Sequence, residues 1–478
     1  MTLGARAIDG AFWNVGLALT NKVVTLAGQI ALAWFLVPAD MGLANLALAI
    51  VSFTVVLQLG GLGDVLLRRN KYLEEAGQAL SLSLVFGFLM ALAIIGLGFA
   101  WPGAQTAKLR GLLSVLAMGV IIGCPVTVYT AGLKNRLDFK GLALTQLTAG
   151  LFYTPAAVFL AWAGWGPYAL IVPVVPQQML LIAGMMYRGV RPSLEVPTWS
   201  LLRTIAKPSL SLSLTGFFIG LQSQVPVFIC GFFLSSTDLG HFSWGWVVAG
   251  QTVYLLATNL REVLFPAFTR LSDDPKHMAV IALKAARAIT AMLCLACGVQ
   301  ALLIRVAIEW LVPIKWLPAV PVVICASIGL VLQGLSISGM AWLNACGNYR
   351  ILLKLSIFQV LVSMGCTWLG LEWGGLLGAS LGCATGSAVG AFASVFPIGT
   401  SVLLHAGRTW WRPVAGSTVL WVLVFSLFHG HTIGEFSGAA LFVVTSAWLW
   451  WREDDGGLAG IVDRIAGFFR VAPAPNKA

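Results

Sequence analysis

Phe35-Leu36-Val37-Pro38-Ala39-Asp40-Met41-Gly42 is a short turn between two long apolar runs, Phe12 to Val37 and Met41 to Val65. Shifted by 198 residues, it falls on Phe233-Leu234-Ser235-Ser236-Thr237-Asp238-Leu239-Gly240, with four of the eight positions identical and Met41 matched by Leu239. The same shift sets Leu62, Val65 and Leu66 on Leu260, Val263 and Leu264. A shift of 210 sets Leu133, Phe139, Lys140 and Ala169 on Leu343, Tyr349, Arg350 and Ala379. Apolar helices match one another through composition alone, so the duplicated turn carries the inference of an internal repeat.

The 478 residues are 59% hydrophobic and 10% charged, with a mean hydropathy of +0.89. Soluble domains carry about 25% charged residues, so this chain is a polytopic, all-α membrane protein. Its net charge of +11 does not indicate nucleic acid, because the basic residues lie between apolar runs and form no single patch. Eight cysteines are scattered through those runs as small apolar residues. Cys294 and Cys297 form a CxxC, but no second pair stands at metal-binding spacing.

Runs of roughly 20 apolar residues, each able to cross about 30 Å of hydrocarbon, give fourteen spans. Spans 1 to 6 are Phe12 to Val37, Met41 to Val65, Ala79 to Trp101, Leu112 to Leu133, Leu142 to Trp162 and Tyr168 to Tyr187. Spans 7 to 12 are Leu210 to Leu234, Leu239 to Phe265, Ala288 to Ile304, Leu317 to Ala345, Ile351 to Leu371 and Leu376 to Leu404. Val414 to Phe428 and Phe436 to Trp451 are spans 13 and 14. The first run is too long for a cleavable signal and reads as a retained anchor. Six spans separate the two turns, so both face the same side: a parallel pseudo-two-fold repeat of two six-helix lobes, residues 1–200 and 201–405. Residues 406–452 add two helices, and residues 453–478 form an interfacial helix and tail, with Leu458, Ile461, Val462, Ile465, Phe468 and Phe469 on one face.

Only Lys108, Arg110, Arg305 and Lys315 fall in the odd-numbered loops, and Lys22 lies within span 1; the rest of the 29 Lys and Arg share the other side with both termini. This bias places the termini in the cytoplasm. The longest loops, Arg188 to Ser209 and Ala267 to Arg287, are cytoplasmic and basic, and the first connects the two lobes.

Gly10-Ala-Phe-Trp13, the Phe35 to Gly42 turn, Gly60-Gly-Leu-Gly63 before Arg68-Arg69, and Val263-Leu-Phe-Pro-Ala-Phe-Thr-Arg-Leu271 resemble the polysaccharide transporter family. That family includes bacterial O-antigen and exopolysaccharide flippases, within the superfamily that also holds multidrug extruders and lipid II flippases. The resemblance implies two six-helix lobes around a cavity lined by spans 1, 2, 7 and 8. It implies a flippase in the bacterial inner membrane, moving an undecaprenyl-diphosphate-linked oligosaccharide from the cytoplasmic to the periplasmic leaflet. Membrane lipids and other polysaccharide-assembly membrane proteins are the expected partners. Two departures stand out: Ser235-Ser236 where a proline is expected, and Gly220 at the position matching Lys22.

Lys22 is the sharpest candidate site. About ten residues from the cytoplasmic end at 1.5 Å each, it lies roughly 15 Å deep. A charge there costs about 3 kcal/mol or more on insertion scales, so it faces protein or water. Asn14, Thr25 and Gln29 join it in one polar stripe, suited to a diphosphate or acidic sugars; a structural lysine bonded within its lobe is the alternative. Span 7 offers Gln222, and span 8 offers Gln251, Tyr254, Thr258 and Arg261, spaced along one helical face. Amides and hydroxyls suit sugar hydroxyls. Arg261 reads either as a second phosphate contact or as a topological charge paired with Glu262. Trp244 and Trp246 are candidates for stacking on sugars or for anchoring at the interface.

No acid lies deep in span 1, which weakens a drug-antiporter reading and leaves the coupling ion open; no cofactor or metal is expected. No Walker A motif, nucleophile elbow or HExxH is present, so catalysis is not supported. A membrane polysaccharide polymerase or acyltransferase needs a large outer loop or a His/Asp/Arg constellation, and neither is visible. Gly374, Gly378, Gly382, Gly386 and Gly390, every fourth residue in span 12, suit close helix packing within the second lobe, with a dimer interface as the alternative. Lys22→Ala is expected to abolish transport at unchanged protein level, measured as lipid-linked sugar export in a complemented deletion strain; normal export would remove Lys22 from the mechanism.

Overall fold

A computed structural model describes residues 23–59, 66, 72–101, 106–198, 217, 218, 220–254, 256, 275–398, 416, 417, 419–421, 423, 424 and 432–452. They are helical almost throughout, and no strand occurs among them. This is the outcome the bilayer imposes, since hydrocarbon offers backbone N–H and C=O groups no partner outside the helix. The chain is an all-α polytopic membrane protein. Its contacts divide it into two compact units, one of Met1–Val248, Ile308–Val322 and Leu353–Gly386, the other of Ala249–Ala307, Val323–Leu352 and Ser387–Ala478.

Among the described residues, spans 3 to 6 appear as Glu74–Ala100, Ala107–Asn135, Phe139–Trp162 and Tyr168–Tyr187, and span 9 as Met278–Leu311. Spans 11 and 12 form Arg350–Ala393, interrupted at Gly374 and Gly375, whose non-helical backbone makes the turn the sequence places between them. The described parts of spans 1, 2, 7 and 14 include the shorter apolar helices Val23–Phe35, Pro38–Phe53, Gly220–Phe233 and Glu435–Ser446. Span 8 is Ser236–Val253.

Two boundaries differ from the hydropathy reading. Span 9 belongs to a helix that starts at Pro275, inside the segment read as a loop from Ala267 to Arg287. Met278, Ala279, Ala282, Leu283 and Ala286 are buried on one face of this stretch. Lys276, Lys284 and Arg287 lower its mean hydropathy without breaking its helical period. Span 10 is broken rather than continuous: Ile314–Leu330 and Gln333–Ala345 meet at 43°.

The repeat is visible in the backbone. Span 1 ends with Leu36 N–H donating to Leu32 O and span 7 with Leu234 N–H donating to Cys230 O, both at 2.8 Å and both 198 residues apart. The next helix starts differently in each copy. The first uses Pro38 at its first position, where a missing N–H costs nothing. The second uses Ser235, whose Oγ accepts from Asp238 N at 3.1 Å and donates to Asp238 Oδ2 at 2.7 Å. This serine N-cap, braced by the Asp238 carboxylate, accounts for Ser235-Ser236 at the place where a proline was expected.

The other repeat shift, 210, holds just as closely. After span 4, Asp138 N–H donates to Leu133 O at 3.0 Å and Leu137 N–H to Lys134 O at 3.0 Å; after span 10, Asn348 N–H donates to Leu343 O and Gly347 N–H to Asn344 O, each at 3.1 Å. Both are Schellman turns with a left-handed residue, Leu137 at φ 57° and Gly347 at φ 71°.

Gly374, read as the first step of the glycine ladder, lies instead in the break with open space around it, while Gly378, Gly382 and Gly386 pack within one hairpin. Gly378 faces the backbone of Gly370, Gly382 that of Cys366 and Thr367, and Gly386 that of Ser363, so spans 11 and 12 touch along their backbones. In the same unit the connector after span 6 is tied down. Val190 joins the buried cluster of Tyr72, Leu80, Tyr129 and Leu133, and Thr198 donates from N and Oγ1 to Gln78 Oε1 at 3.1 and 3.0 Å.

A left-handed backbone costs a residue with a Cβ about 1–2 kcal/mol, and glycine none. Leu137→Gly is therefore expected to raise the thermal unfolding midpoint in detergent slightly. Gly347→Leu at the matching turn should lower it by an amount equivalent to about 1 kcal/mol.

Candidate functional site

Of the residues singled out from sequence, Asn14, Lys22, Thr258 and Arg261 lie outside the described residues. Thr25 and Gln29 are half-buried one helical turn apart on span 1. Gly28, beside Gln29, lies against Thr154 of span 5, closely enough that a Cβ would strike that side chain. Gln222 on span 7 is also half-buried, next to Ser223, whose Oγ donates to Gly220 O at 2.8 Å. These three residues belong to the first unit, and Gln251 and Tyr254 to the second. There Gln251 is half-buried, and Tyr254, 51% exposed, stands where span 8 widens into a π-type turn, a local distortion frequent at functional positions. Thr252 beside them donates to Gln300 Oε1 of span 9 at 2.6 Å.

The tryptophan expectation needs correction. Trp244 is 3% exposed and lies against Trp316 with ring centroids 4.9 Å apart, so it neither meets a sugar nor anchors at an interface. Trp246 is half-buried and stacks on Phe242, centroids 6.3 Å apart and planes 7° from parallel. Hydropathy cannot distinguish a tryptophan at a membrane surface from one in a core.

Trp244 is part of a cluster that the sequence did not reveal, at the turn end of the first unit. Trp316 Nε1 donates to Ala33 O at 2.8 Å, Lys315 Nζ to Trp34 O at 3.1 Å, and Trp34 Nε1 to Leu311 O at 2.9 Å. Ala33 and Trp34 end span 1, where helix carbonyls lack intrahelical partners and the helix dipole favours a cation. The stretch from Leu311 to Trp316 thus caps span 1. His241 of span 8 is bound to the same stretch through Nε2 and Lys315 O, 3.0 Å apart, with its ring edge-on to Trp316. The cluster's signal in sequence was weak: one lysine and one tryptophan in Pro313-Ile-Lys-Trp316.

The second unit holds an apolar cavity of about 140 Å³ at the break in span 10. Cys294, Cys297, Ser327, Leu332, Trp421 and Phe442 are among its lining residues. Among the described residues, no group of three or more His, Cys, Asp or Glu is placed to hold a metal ion.

Residues 31–321 match the family described as "Polysaccharide biosynthesis protein". The chain is 20% identical over 410 residues to an uncharacterized membrane protein in the cps region of Klebsiella pneumoniae, covering 83% of each. Among solved structures, it superposes on a lipid II flippase, MurJ, in an inward closed conformation, with TM-score 0.74 and 12% identity over 92% of this chain and 99% of that one. An inward-facing multidrug resistance MATE family transporter of the MOP superfamily gives 0.61 and 16%, over 83% of this chain and 98% of that one. At these identities the structural likeness concerns the fold.

Removing the buried bond from Trp316 to Ala33 leaves a carbonyl without its partner, a loss of about 1–3 kcal/mol. Trp316→Phe should lower the unfolding midpoint clearly, whereas Trp244→Phe, which deletes an indole N–H that has no hydrogen bond, should lower it less. Equal losses would show that packing, not the carbonyl cap, dominates here.

Proposed function

The chain belongs to the polysaccharide biosynthesis protein family, and from that premise we propose that it is a flippase. Its substrate in this reading is an undecaprenyl-diphosphate-linked oligosaccharide repeat unit for O-antigen, capsule or exopolysaccharide, moved across the bacterial inner membrane. The observation that carries the proposal is the family match over residues 31–321, which takes in spans 2 to 9, together with a likeness in fold to a lipid II flippase over 92% of the chain.

The mechanism is alternating access between the two six-helix lobes. A flippase must move a charged diphosphate and a sugar chain past hydrocarbon while the prenyl tail stays in lipid. Lys22, at mid-membrane, would meet the diphosphate, and desolvation there strengthens the attraction. Asn14, Thr25, Gln29, Gln222, Gln251, Tyr254 and Thr258 would offer hydrogen bonds to the sugar, with Arg261 as a second phosphate contact. The Lys/Arg-poor side, where the duplicated turns lie, is the periplasmic one, and both termini are cytoplasmic. Binding changes the equilibrium between the two access states only through contacts that differ between them.

A second reading, a cation-coupled multidrug extruder, is favoured by the likeness to the MATE transporter. Fourteen spans and the sparse acids of the membrane interior support the flippase instead.

Deletion of the gene should cause lipid-linked repeat units to accumulate on the cytoplasmic leaflet, measured by leaflet-selective enzymatic labelling of the glycolipid. Unchanged glycolipid pools with raised drug sensitivity would overturn the flippase reading in favour of the extruder.

A further inference from the structure

The two copies of the duplicated turn are in contact with each other. Gly42 and Gly240 are equivalent positions of the repeat, and each lies against the other copy's backbone. A Cβ on Gly42 would strike Ser236 O and come within 2.7 Å of Gly240 N; one on Gly240 would strike Pro38 O. One turn further along, Asn45 Nδ2 donates to Ser243 Oγ at 2.9 Å, and these residues too are 198 apart. Ser243 is fully buried, and its neighbours in the crossing, Met41 and Leu239, are 1% and 2% exposed. All of these residues belong to the first unit.

Two positions related by a two-fold axis can touch only where they lie close to that axis. The spacing therefore locates the pseudo-two-fold axis between Gly42 and Gly240 and between Asn45 and Ser243. A contact on the axis is a contact between the two halves, and it has a property no other contact has: exchanging its two residues maps it onto itself.

We propose that this crossing is the clasp that holds the turn end shut, with the Asn45–Ser243 bond as its polar pin. The inference rests on the alternating access proposed above and deepens it. Opening on the turn side separates spans 2 and 8 at Gly42 and Gly240 and breaks this bond. The glycines let the helices close to backbone contact, so the seal needs no large side chains. The pin is one neutral hydrogen bond beside the three that tie Ala33 and Trp34 to the stretch Leu311 to Trp316 at the same end, and its loss shifts an equilibrium by about two- to tenfold. It therefore biases the closed state without fixing it.

The test uses Leu239→Cys as a reporter in the full-length protein, reconstituted in vesicles with the turn side outward and labelled with a membrane-impermeant maleimide. The signal is taken over that of the parent protein with its own eight cysteines. Asn45→Ala or Ser243→Ala should raise the labelling rate about two- to tenfold. Asn45→Leu, which keeps the bulk without the donor, should do the same if the alanine variants are not recovered folded. The exchanged pair, Asn45→Ser with Ser243→Asn, should return the rate to within twofold of the reporter alone. Unchanged labelling in the recovered single variants, or an exchanged pair as reactive as they are, would overturn the clasp. Labelling does not depend on what is carried, so a flippase reading that fails in the deletion strain leaves this result standing, and the reverse holds as well.

Discussion

The packing of the turn end in this structure depends on how closely spans 2 and 8 approach at Gly42 and Gly240. No atom larger than hydrogen fits on either α-carbon without striking the other helix's backbone. Lipid is as apolar as leucine, so burying leucine drives no helix association in a bilayer; van der Waals contact and hydrogen bonds do. Glycine maximises the first, and the Asn45–Ser243 bond supplies the second. The same solution recurs where spans 11 and 12 meet along Gly370, Gly378, Gly382 and Gly386.

Polar groups follow a complementary rule. Every helix end in a membrane protein leaves carbonyls or N–H groups to be satisfied, and around the duplicated turns three devices do this, alongside the Schellman turns that close spans 4 and 10. Pro38 removes an N–H, Ser235 caps the Asp238 N–H, and Lys315 and Trp316 donate to the carbonyls that end span 1. Trp316 and Lys315 hold together the end of span 1, while His241 ties span 8 to the same stretch. The candidate sugar-binding tryptophan, Trp244, is drawn into that structural cluster.

Much of the fold was legible because its determinants are local. The turn between spans 11 and 12 and the matched ends of spans 1 and 7 depend on residues within one helical turn of each other. The candidate site was legible only in part. Thr25 and Gln29 are half-buried one turn apart on span 1 and Gln222 is half-buried on span 7, but half-burial assigns none of them a ligand. The stretch Leu311 to Trp316 was missed because each residue in it is unremarkable by type; its role comes from partners far away in the chain. The helical start of span 9 at Pro275 was missed because charged residues on one face lower a window average while the other face stays apolar.

Composition and periodicity by themselves determined that the chain is a membrane-spanning, all-helical protein built on a duplicated turn. Hydrocarbon punishes every unpaired backbone group, and only a helix satisfies that demand within its own sequence. Tertiary structure alone decided that the duplicated turns pack on each other, that span 10 bends by 43°, and that Trp316 caps a carbonyl 283 residues away. Such contacts depend on which surfaces the packed helices bring together, and a residue's own neighbours in the chain carry no record of that.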